Sequence, residues 1–421
     1  MTAPITVDAP EQPDEIAYPR LMILSISTRL LVDTTAQIFN PFLTIFATGL
    51  GVSVVTMGQL MSLRSIMGLA APLIGSLADQ HGYRRMMRLM LLTIIAGLLL
   101  VGFSPSLPVA IAGIVTMGLG LSGFVPTLHA YLSARLPYTT RARGLGMLEY
   151  SWALAGIIGL YAMGQLIAVT GWRIPLLILA GGLGMMWVLL SALPSARPLA
   201  RSTPNDQAIN AAHSRVALPQ RIRTFFDLGQ RARSAYSTIV AGSLIFYAGM
   251  QLFITHGAWL NLEYGLGAVA LGTVALILGC FDLSASVSVS LFTDRIGKLR
   301  SVILGTTGVL IGYAVMPLLN TSVVGAVLGI ALARTCFEFG IVSHISLISE
   351  QVPEQRGKLM SLSAAFVLCG GTAANLTGPW LYTTHGVWGL SWSSMIALAI
   401  ALSLLLTQVN EIAPTNLPET F

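Results

Sequence analysis

Six charged residues stand inside stretches of the sequence that are otherwise apolar, and their types could do chemistry. They are three acids and three arginines, namely Asp33, Asp282, Glu338, Arg29, Arg64 and Arg334. Burial favours the protonated form of a carboxyl group, whereas a neighbouring guanidinium favours the carboxylate. A carboxyl whose arginine partner moves away can therefore gain or lose a proton. The chemistry that these residues predict is reversible proton binding inside an apolar environment.

The spacing of these residues predicts two ion pairs. Arg29 and Asp33 are four residues apart, and Arg334 and Glu338 repeat that spacing. Residues four apart lie on one face of an α-helix, so each pair is expected to be in contact. A pair of this kind can take part in proton movement, or it can be a static ion pair that fixes helix packing. Both interpretations stay open at this point.

The elements that must position these residues are membrane helices. Of the 421 residues, 54% are hydrophobic and 10% are charged, against about 25% charged in an ordinary soluble protein. The mean hydropathy is +0.77. The three cysteines, Cys280, Cys336 and Cys369, all fall in apolar stretches, where we interpret them as packing residues rather than disulfide partners or metal ligands. The composition predicts an all-α polytopic membrane protein.

Twelve segments are long and apolar enough to cross a bilayer, which takes about 20 residues. Their expected bounds are 21–48, 54–78, 86–105, 108–130, 145–169, 174–193, 236–260, 267–292, 300–319, 322–348, 359–383 and 387–408. The first 20 residues are acidic and lack the basic start of a secretory signal, so we expect the first span to be a retained anchor.

The basic residues predict the orientation of the chain. Its net charge is +6, from 23 Lys and Arg against 17 Asp and Glu. Apart from the three arginines inside spans, only Arg173 lies on the outer side if both termini are inside. Basic residues in short loops mark the cytoplasmic side. We therefore expect a multi-pass protein of the plasma (inner) membrane with both termini cytoplasmic, and no binding of nucleic acid.

The two halves of the chain repeat one another. "GLGVSVVTMGQL" from Gly49 resembles "GLGAVALGTVAL" from Gly265, and "RGLGM" at Arg143 resembles "RGKLM" at Arg356. Between them, "GSLADQHGYRR" at 75–85 resembles "SLFTDRIGKLR" at 290–300. The offsets are nearly equal, which indicates a duplicated unit. The predicted domains are a cytoplasmic tail 1–20, a six-helix bundle 21–193, a basic cytoplasmic linker 194–234, a second bundle 235–409 and a cytoplasmic tail 410–421.

The stretch 75–85 resembles the loop signature of the major facilitator superfamily, which is Gly, three residues, Asp, two residues, Gly and then basic residues. Gly75, Asp79, Gly82, Arg84 and Arg85 match it, and the second copy keeps Asp294, Arg295 and Gly297 but has Ser290 for the first glycine. The resemblance implies twelve transmembrane helices in two parallel six-helix repeats. It also implies that helices 3, 6, 9 and 12 face lipid, and the corresponding spans carry no charge away from their ends.

The resemblance further implies a gating role for these loops. In the family, the loop aspartate contacts the start of helix 11 and holds the cytoplasmic side shut. Here that contact joins Asp79 to Arg356, and the symmetric contact joins Asp294 to Arg143. A carboxylate is stabilised beside a helix N-terminus, which is a physical reason for such a contact.

The function that the resemblance implies is secondary active transport by alternating access. A mid-depth acid in the first helix is typical of proton-linked exporters of the family, so we expect Asp33 to carry the proton, followed in order by Glu338 and Asp282. We expect proton-coupled export (antiport) of a small organic or amphipathic molecule, powered by the proton gradient without a cofactor, by a monomer. Span 4 lacks the arginine and span 5 the Gly-Pro element of drug exporters.

Other interpretations stay open for this reason. They are a proton-coupled importer, a sugar or lipid exporter, and a non-transporting assembly or sensor subunit. No nucleophile–base or metal set is recognisable, so an enzyme is not expected. His129 and His344 are predicted to be packing histidines, and Glu149 is expected to face cytoplasmic water.

Overall fold

The structure is a computed structural model that describes residues 18–136, 138–194, 228–352 and 355–411. At 138–143, 230, 290 and 294 only the backbone is described. Most of the predicted linker and of both tails lies outside the described residues. The described part is built from helices, because a backbone surrounded by lipid must satisfy its hydrogen bonds within its own segment.

The first half contains six membrane helices. Helix α1 is Tyr18–Gln37, and after a turn it continues as the short helix Leu43–Leu50. Four more helices follow, α2 (Val54–His81), α3 (Tyr83–Gly102), α4 (Leu107–Arg135) and α6 (Arg173–Ala192). Between the last two lies α5, which runs over 138–170 and includes a π-helical segment, Ala155–Leu160.

The second half repeats this arrangement. Its helices are α7 (Ala232–Tyr264), α8 (Ala268–Ile296), α9 (Lys298–Leu319) and α10 (Val323–Gln351). The continuous helical stretch Arg356–Gln408 contains two membrane helices, α11 (356–385) and α12 (387–408). Gly386 divides them, because its φ of 62° is a conformation that glycine adopts without strain.

The prediction of twelve membrane helices is confirmed. Ten helices in the described residues are long and apolar enough to span a bilayer. One of them is the stretch that Gly386 divides in two. Helix α1 is the twelfth, and it falls outside that set because its 20 residues carry Arg20, Arg29 and Asp33. These charged residues thus lower the mean hydropathy of α1.

Apolar side chains on the outer helices remain exposed on the surface of the protein. On α3, α6, α9 and α12 these are Leu89, Leu99, Met185, Val188, Leu304, Ile311, Ile396 and Ile400. An apolar surface of this extent suits lipid rather than water. The four helices that the resemblance assigned to the lipid boundary therefore have the surface that this position needs.

The two bundles meet away from the end that carries the loops at Gly82 and Gly297. We call the end that carries these loops the basic face, because Arg84, Arg85 and Lys298 lie there, and we call the other end the opposite face. Between α2 and α11, Ser62 donates a hydrogen bond to the backbone oxygen of Thr372 at 3.0 Å, and Asn375 donates to Ser65 at 2.9 Å. These contacts lie in the middle of the helices and toward the opposite face.

Small residues bring α5 of one bundle close to α8 of the other. A Cβ added at Gly164 would lie 2.7 Å from the backbone oxygen of Ala268 and 2.9 Å from Cα of Gly272. Gly156 packs in the same way beside Gly279. Small residues let membrane helices approach closely.

Toward the basic face the bundles are apart. A side chain at Gly75 would meet no neighbouring atom within 4 Å, and Asp79 is exposed. Glu149, in the first turns of α5 after the basic face, has a side chain that is 57% exposed. The structure therefore shows a conformation that is closed at the opposite face and open at the basic face.

We predict that Gly164→Leu disfavours this conformation, because the new side chain cannot fit between α5 and α8. Overpacking of a tight contact costs about 1–3 kcal/mol. Spin labels at Val169 and Leu262, which are exposed on the two bundles at the opposite face, should report longer distances in the variant. Gly184→Leu is the matched control, since Gly184 on α6 has no neighbouring atom within 4 Å. Unchanged distances in Gly164→Leu would contradict the tight packing of α5 against α8 at the opposite face.

Candidate functional site

Asp33 lies in the middle of the first bundle, buried to 2% exposure. One helical turn earlier on α1, Arg29 donates from Nε to both carboxylate oxygens at 2.9 Å. Ser151 of α5 donates a hydrogen bond to Oδ2 at 2.6 Å. The spacing predicted the contact with Arg29, and the structure adds the serine. Asp33 is therefore held by one charged and one neutral donor.

A chain of polar groups leads from Asp33 toward the open side. NH1 of Arg29 lies 3.3 Å from Nε2 of His129 on α4. Nε2 of His129 also lies 3.0 Å from Oε1 of Glu149. NH2 of Arg29 lies 3.7 Å from Oε2 of that glutamate. One ring nitrogen can accept a hydrogen bond when unprotonated and donate one when protonated. Nε2 of His129 therefore accepts from Arg29 or, when it carries a hydrogen, donates to Glu149, and both residues contact the guanidinium that holds Asp33.

Sequence reasoning did not find this chain. Residues on three different helices share no spacing, so the packing role predicted for His129 misses its contacts with Arg29 and Glu149, whereas the exposure predicted for Glu149 is found. The available signal was that His129 and Glu149 both lie near the predicted cytoplasmic ends of their spans. His344, by contrast, packs against Gly242, and its Nε2 lies 2.8 Å from the backbone oxygen of Thr238.

The second bundle pairs its charges differently from the sequence prediction. Arg334 on α10 forms its ion pair with Asp282 on α8, not with Glu338. Glu338 instead accepts a hydrogen bond from Ser286 of α8 at 3.0 Å. The predicted pair of Arg334 with Glu338 is wrong for this conformation. The reason is that α8 packs against α10 and offers a carboxylate that the helical spacing within α10 does not reveal.

Arg64 on α2 joins neither group. Its guanidinium carbon lies 5.6 Å from the centre of the Phe39 ring. No carboxylate lies within ion-pair distance among the described residues, and its NH1 is buried without a hydrogen-bond partner. Gly118 of α4 packs directly against the Arg64 backbone. The structure therefore places Arg64 in the interior of the first bundle, apart from the Asp33 chain.

Aromatic rings from both bundles form the closed end of the space between them. The ring of Trp152 lies 6.5 Å from that of Phe253, which lies 5.9 Å from that of Phe337. The Arg334 guanidinium stands 3.8 Å from the centre of Phe253. Rings at this position supply apolar contact area, and a stacked guanidinium adds a cation–π interaction.

The predicted gating contact is not formed in this conformation. Asp79 accepts a hydrogen bond from the hydroxyl of Tyr83 at 2.9 Å. Arg356 is exposed, and a side chain at Gly357 would meet no neighbouring atom within 4 Å. The separation of the bundles at the basic face accounts for this. The side chains of the symmetric pair, Asp294 and Arg143, lie outside the described residues.

Two members of the loop signature have structural roles that the sequence did not indicate. Gly82 and Gly297 join consecutive helices at φ values of 90° and 97°, which disfavour any residue with a side chain. Arg84 donates a hydrogen bond to the backbone oxygen of Leu193 at 2.5 Å, and so caps the end of α6. Arg85 and Arg295 are exposed.

Two helical bundles that enclose buried charges and open to one face define a multi-pass membrane protein with the architecture of a transporter. The model of the Major Facilitator Superfamily matches residues 26–345. The chain belongs to that superfamily.

Similarity to individual proteins agrees with this assignment. The chain is 26% identical over 401 residues to an uncharacterized MFS-type transporter, YwfA, of Bacillus subtilis, covering 92% of each chain. It is 25% identical to the glucose transporter GlcP of Staphylococcus epidermidis, over 58% of this chain and 59% of that one. Its fold matches the crystal structure of a D-xylose–proton symporter with a TM-score of 0.73 at 16% identity, over 94% of this chain and 99% of that chain.

Proposed function

We propose that this transporter moves a small organic molecule by alternating access and couples the movement to protons through Asp33. The direction that we propose is export from the cytoplasm, in exchange for protons. The basic face is then the cytoplasmic face of the plasma membrane, and the open conformation is the one that receives the substrate. The observation that carries the proposal is the buried Asp33, linked through Arg29 and His129 to the exposed Glu149.

The physical argument starts from the cost of a buried charge. A carboxylate at this depth is stable only while Arg29 and Ser151 satisfy it. If movement of the bundles or a substrate draws Arg29 toward Glu149, Asp33 loses its main partner and takes up a proton instead. Each transport cycle can then load and release one proton at Asp33. The energy comes from the proton gradient, so the proposal needs no bound cofactor.

The gating loops supply the second half of the cycle. We propose that Asp79 meets Arg356, and Asp294 meets Arg143, when the basic face closes. The exposed positions of Asp79 and Arg356 leave both free to form this contact. Closure of the basic face must break the contact between α5 and α8 at the opposite face, since the two bundles move as units.

The test is proton movement by the wild-type protein, as a monomer in proteoliposomes with a pH dye inside. The panel contains amphipathic cations, glucose, xylose and aromatic acids, because relatives include a glucose transporter. With an imposed pH gradient, we expect at least one compound to change the internal pH relative to protein-free vesicles. Exchange and co-transport give opposite signs, so the same trace determines the direction. A protein that responds to no compound and shows no counterflow would refute the proposal in favour of an assembly or sensor subunit.

Co-transport is the second candidate, and one observation favours it. Arg334 is a buried cation at the closed end of the space between the bundles, beside Asp282 and Glu338. An anionic substrate that took Arg334 from Asp282 would leave that carboxyl to bind a proton. Substrate and proton would then bind together and move in the same direction.

A further inference from the structure

A small pocket lies between the bundles, on the side of Arg334 that faces the closed end. It is lined by Arg334, Phe253 and His256 of the second bundle and by Gln37 and Asn40 of the first. Its position is one to two helical turns beyond Asp33 and Asp282, toward the opposite face.

Arg334 is the notable group in this pocket because its hydrogen bonding is incomplete. The residue is 6% exposed, and its Nε is buried without a partner. Asp282 contacts only NH2, through Oδ2, and leaves its own Oδ1 without a partner as well. Buried donors of charged groups are normally satisfied, so the unpartnered Nε–H of a residue that lines this pocket calls for an acceptor.

The surrounding groups favour a compact planar anion. The Phe253 ring covers one face of the guanidinium. The Asn40 side chain has no hydrogen-bond partner among the described residues and can donate from its amide. His256 directs Nδ1 to the carbonyls of Leu252 and Phe253 on its own helix, so its ring serves as a wall.

We propose that this pocket binds the carboxylate of the transported molecule, with Arg334 Nε and the Asn40 amide as donors. The proposal rests on the transport function, and it names the substrate class as small organic acids. A guanidinium edge matches the geometry of a carboxylate. A doubly charged phosphate is disfavoured, because Asp282 already supplies negative charge next to Arg334.

The test compares pairs of molecules that differ only in the carboxylate. Propionate is paired with propionamide and benzoate with benzamide, and each is titrated into the purified full chain in nanodiscs. We expect at least one acid to raise the unfolding temperature and to bind in calorimetry, and its amide to do neither. If no acid binds more tightly than its amide, the proposal is overturned.

Variants separate the pocket from other anion sites. Arg334→Lys keeps the charge opposite Asp282 but removes the Nε donor, and Asn40→Leu fills the pocket without touching that ion pair. Each should weaken acid binding by at least about tenfold, the effect of losing one charge-assisted hydrogen bond. Arg88→Lys is the control, because Arg88 packs on Trp187 outside the pocket. If Arg334→Lys does not fold, Asn40→Leu decides, and wild-type affinity in that variant overturns the proposal.

A failure of the pocket proposal can be distinguished from a failure of the transport proposal. Proton movement driven by non-acidic compounds, together with no acid binding, would leave proton-coupled transport standing and remove the pocket. Acid binding that depends on Arg334 and Asn40, together with no proton movement, would keep the pocket and remove the coupling.

Discussion

Replacing Asp33 with asparagine should abolish substrate-driven proton movement in proteoliposomes. Asparagine keeps the size of the side chain and can still bond to Arg29 and Ser151, but it cannot take up a proton. Counterflow of substrate without a proton gradient should persist, because Arg29 keeps Glu149 as an ion-pair partner and because binding and alternation do not require Asp33 to titrate. We expect substrate-driven proton movement, measured with the internal pH dye, to fall to the level of protein-free vesicles.

Two further variants sharpen this result. Glu350→Gln makes the same chemical change in a surface ion pair with Lys298, and it should retain coupling. Glu149→Gln interrupts the chain to Asp33 at its exposed end, so it should slow proton movement without removing it. Full coupling in Asp33→Asn would reassign the proton to Glu338 or Asp282. Equal losses in Asp33→Asn and Glu350→Gln would indicate a general defect instead.

Replacing Asp282 with asparagine should destabilise the second bundle strongly. Both side chains of the Asp282–Arg334 pair are nearly buried, at 3% and 7% exposure. Removing one partner of a buried pair leaves an uncompensated charge and costs about 3–5 kcal/mol. We expect a clear drop in unfolding temperature in detergent micelles. The matched change Glu350→Gln, in a surface pair, should cost at most about 1 kcal/mol.

A double variant tests the reason for that loss. In Asp282→Asn with Arg334→Gln neither charge remains, so the protein should recover most of the stability lost in the single variant. If the double variant is as unstable as Asp282→Asn, the damage comes from lost packing and not from the unpaired guanidinium. If Asp282→Asn unfolds like the wild type, the ion pair contributes nothing.

The two bundles differ in how their central acids are held. Asp33 has both oxygens bonded and a polar route to the exposed Glu149. Asp282 has one oxygen bonded and no such route among the described residues. The first arrangement suits a proton site, and the second suits a site where a ligand displaces one partner. This division of roles between the bundles is what the Asp33 and Arg334 experiments test separately.

Much of the fold could be predicted from the sequence, because the controlling interactions are local or act through composition. A span needs only enough apolar residues, and these are visible in the sequence itself. The repeat of 75–85 at 290–300 shows duplication without any structure. The contact of Arg29 with Asp33 was also predictable, since the two residues share one helix face.

The tertiary structure alone decided which charges meet across helices. Arg29 and Asp33 have the same spacing as Arg334 and Glu338, yet only the first pair forms. Asp282 on α8 competes for Arg334, while His129 and Glu149 join Arg29 from α4 and α5. The partner of Asp79 was likewise undetermined, because it depends on how the bundles lie against each other, and in this conformation Asp79 accepts a hydrogen bond from Tyr83 rather than contacting Arg356. Helical periodicity determines neighbours within a helix, whereas contacts between helices depend on packing over the whole chain, and that is the physical reason for the division.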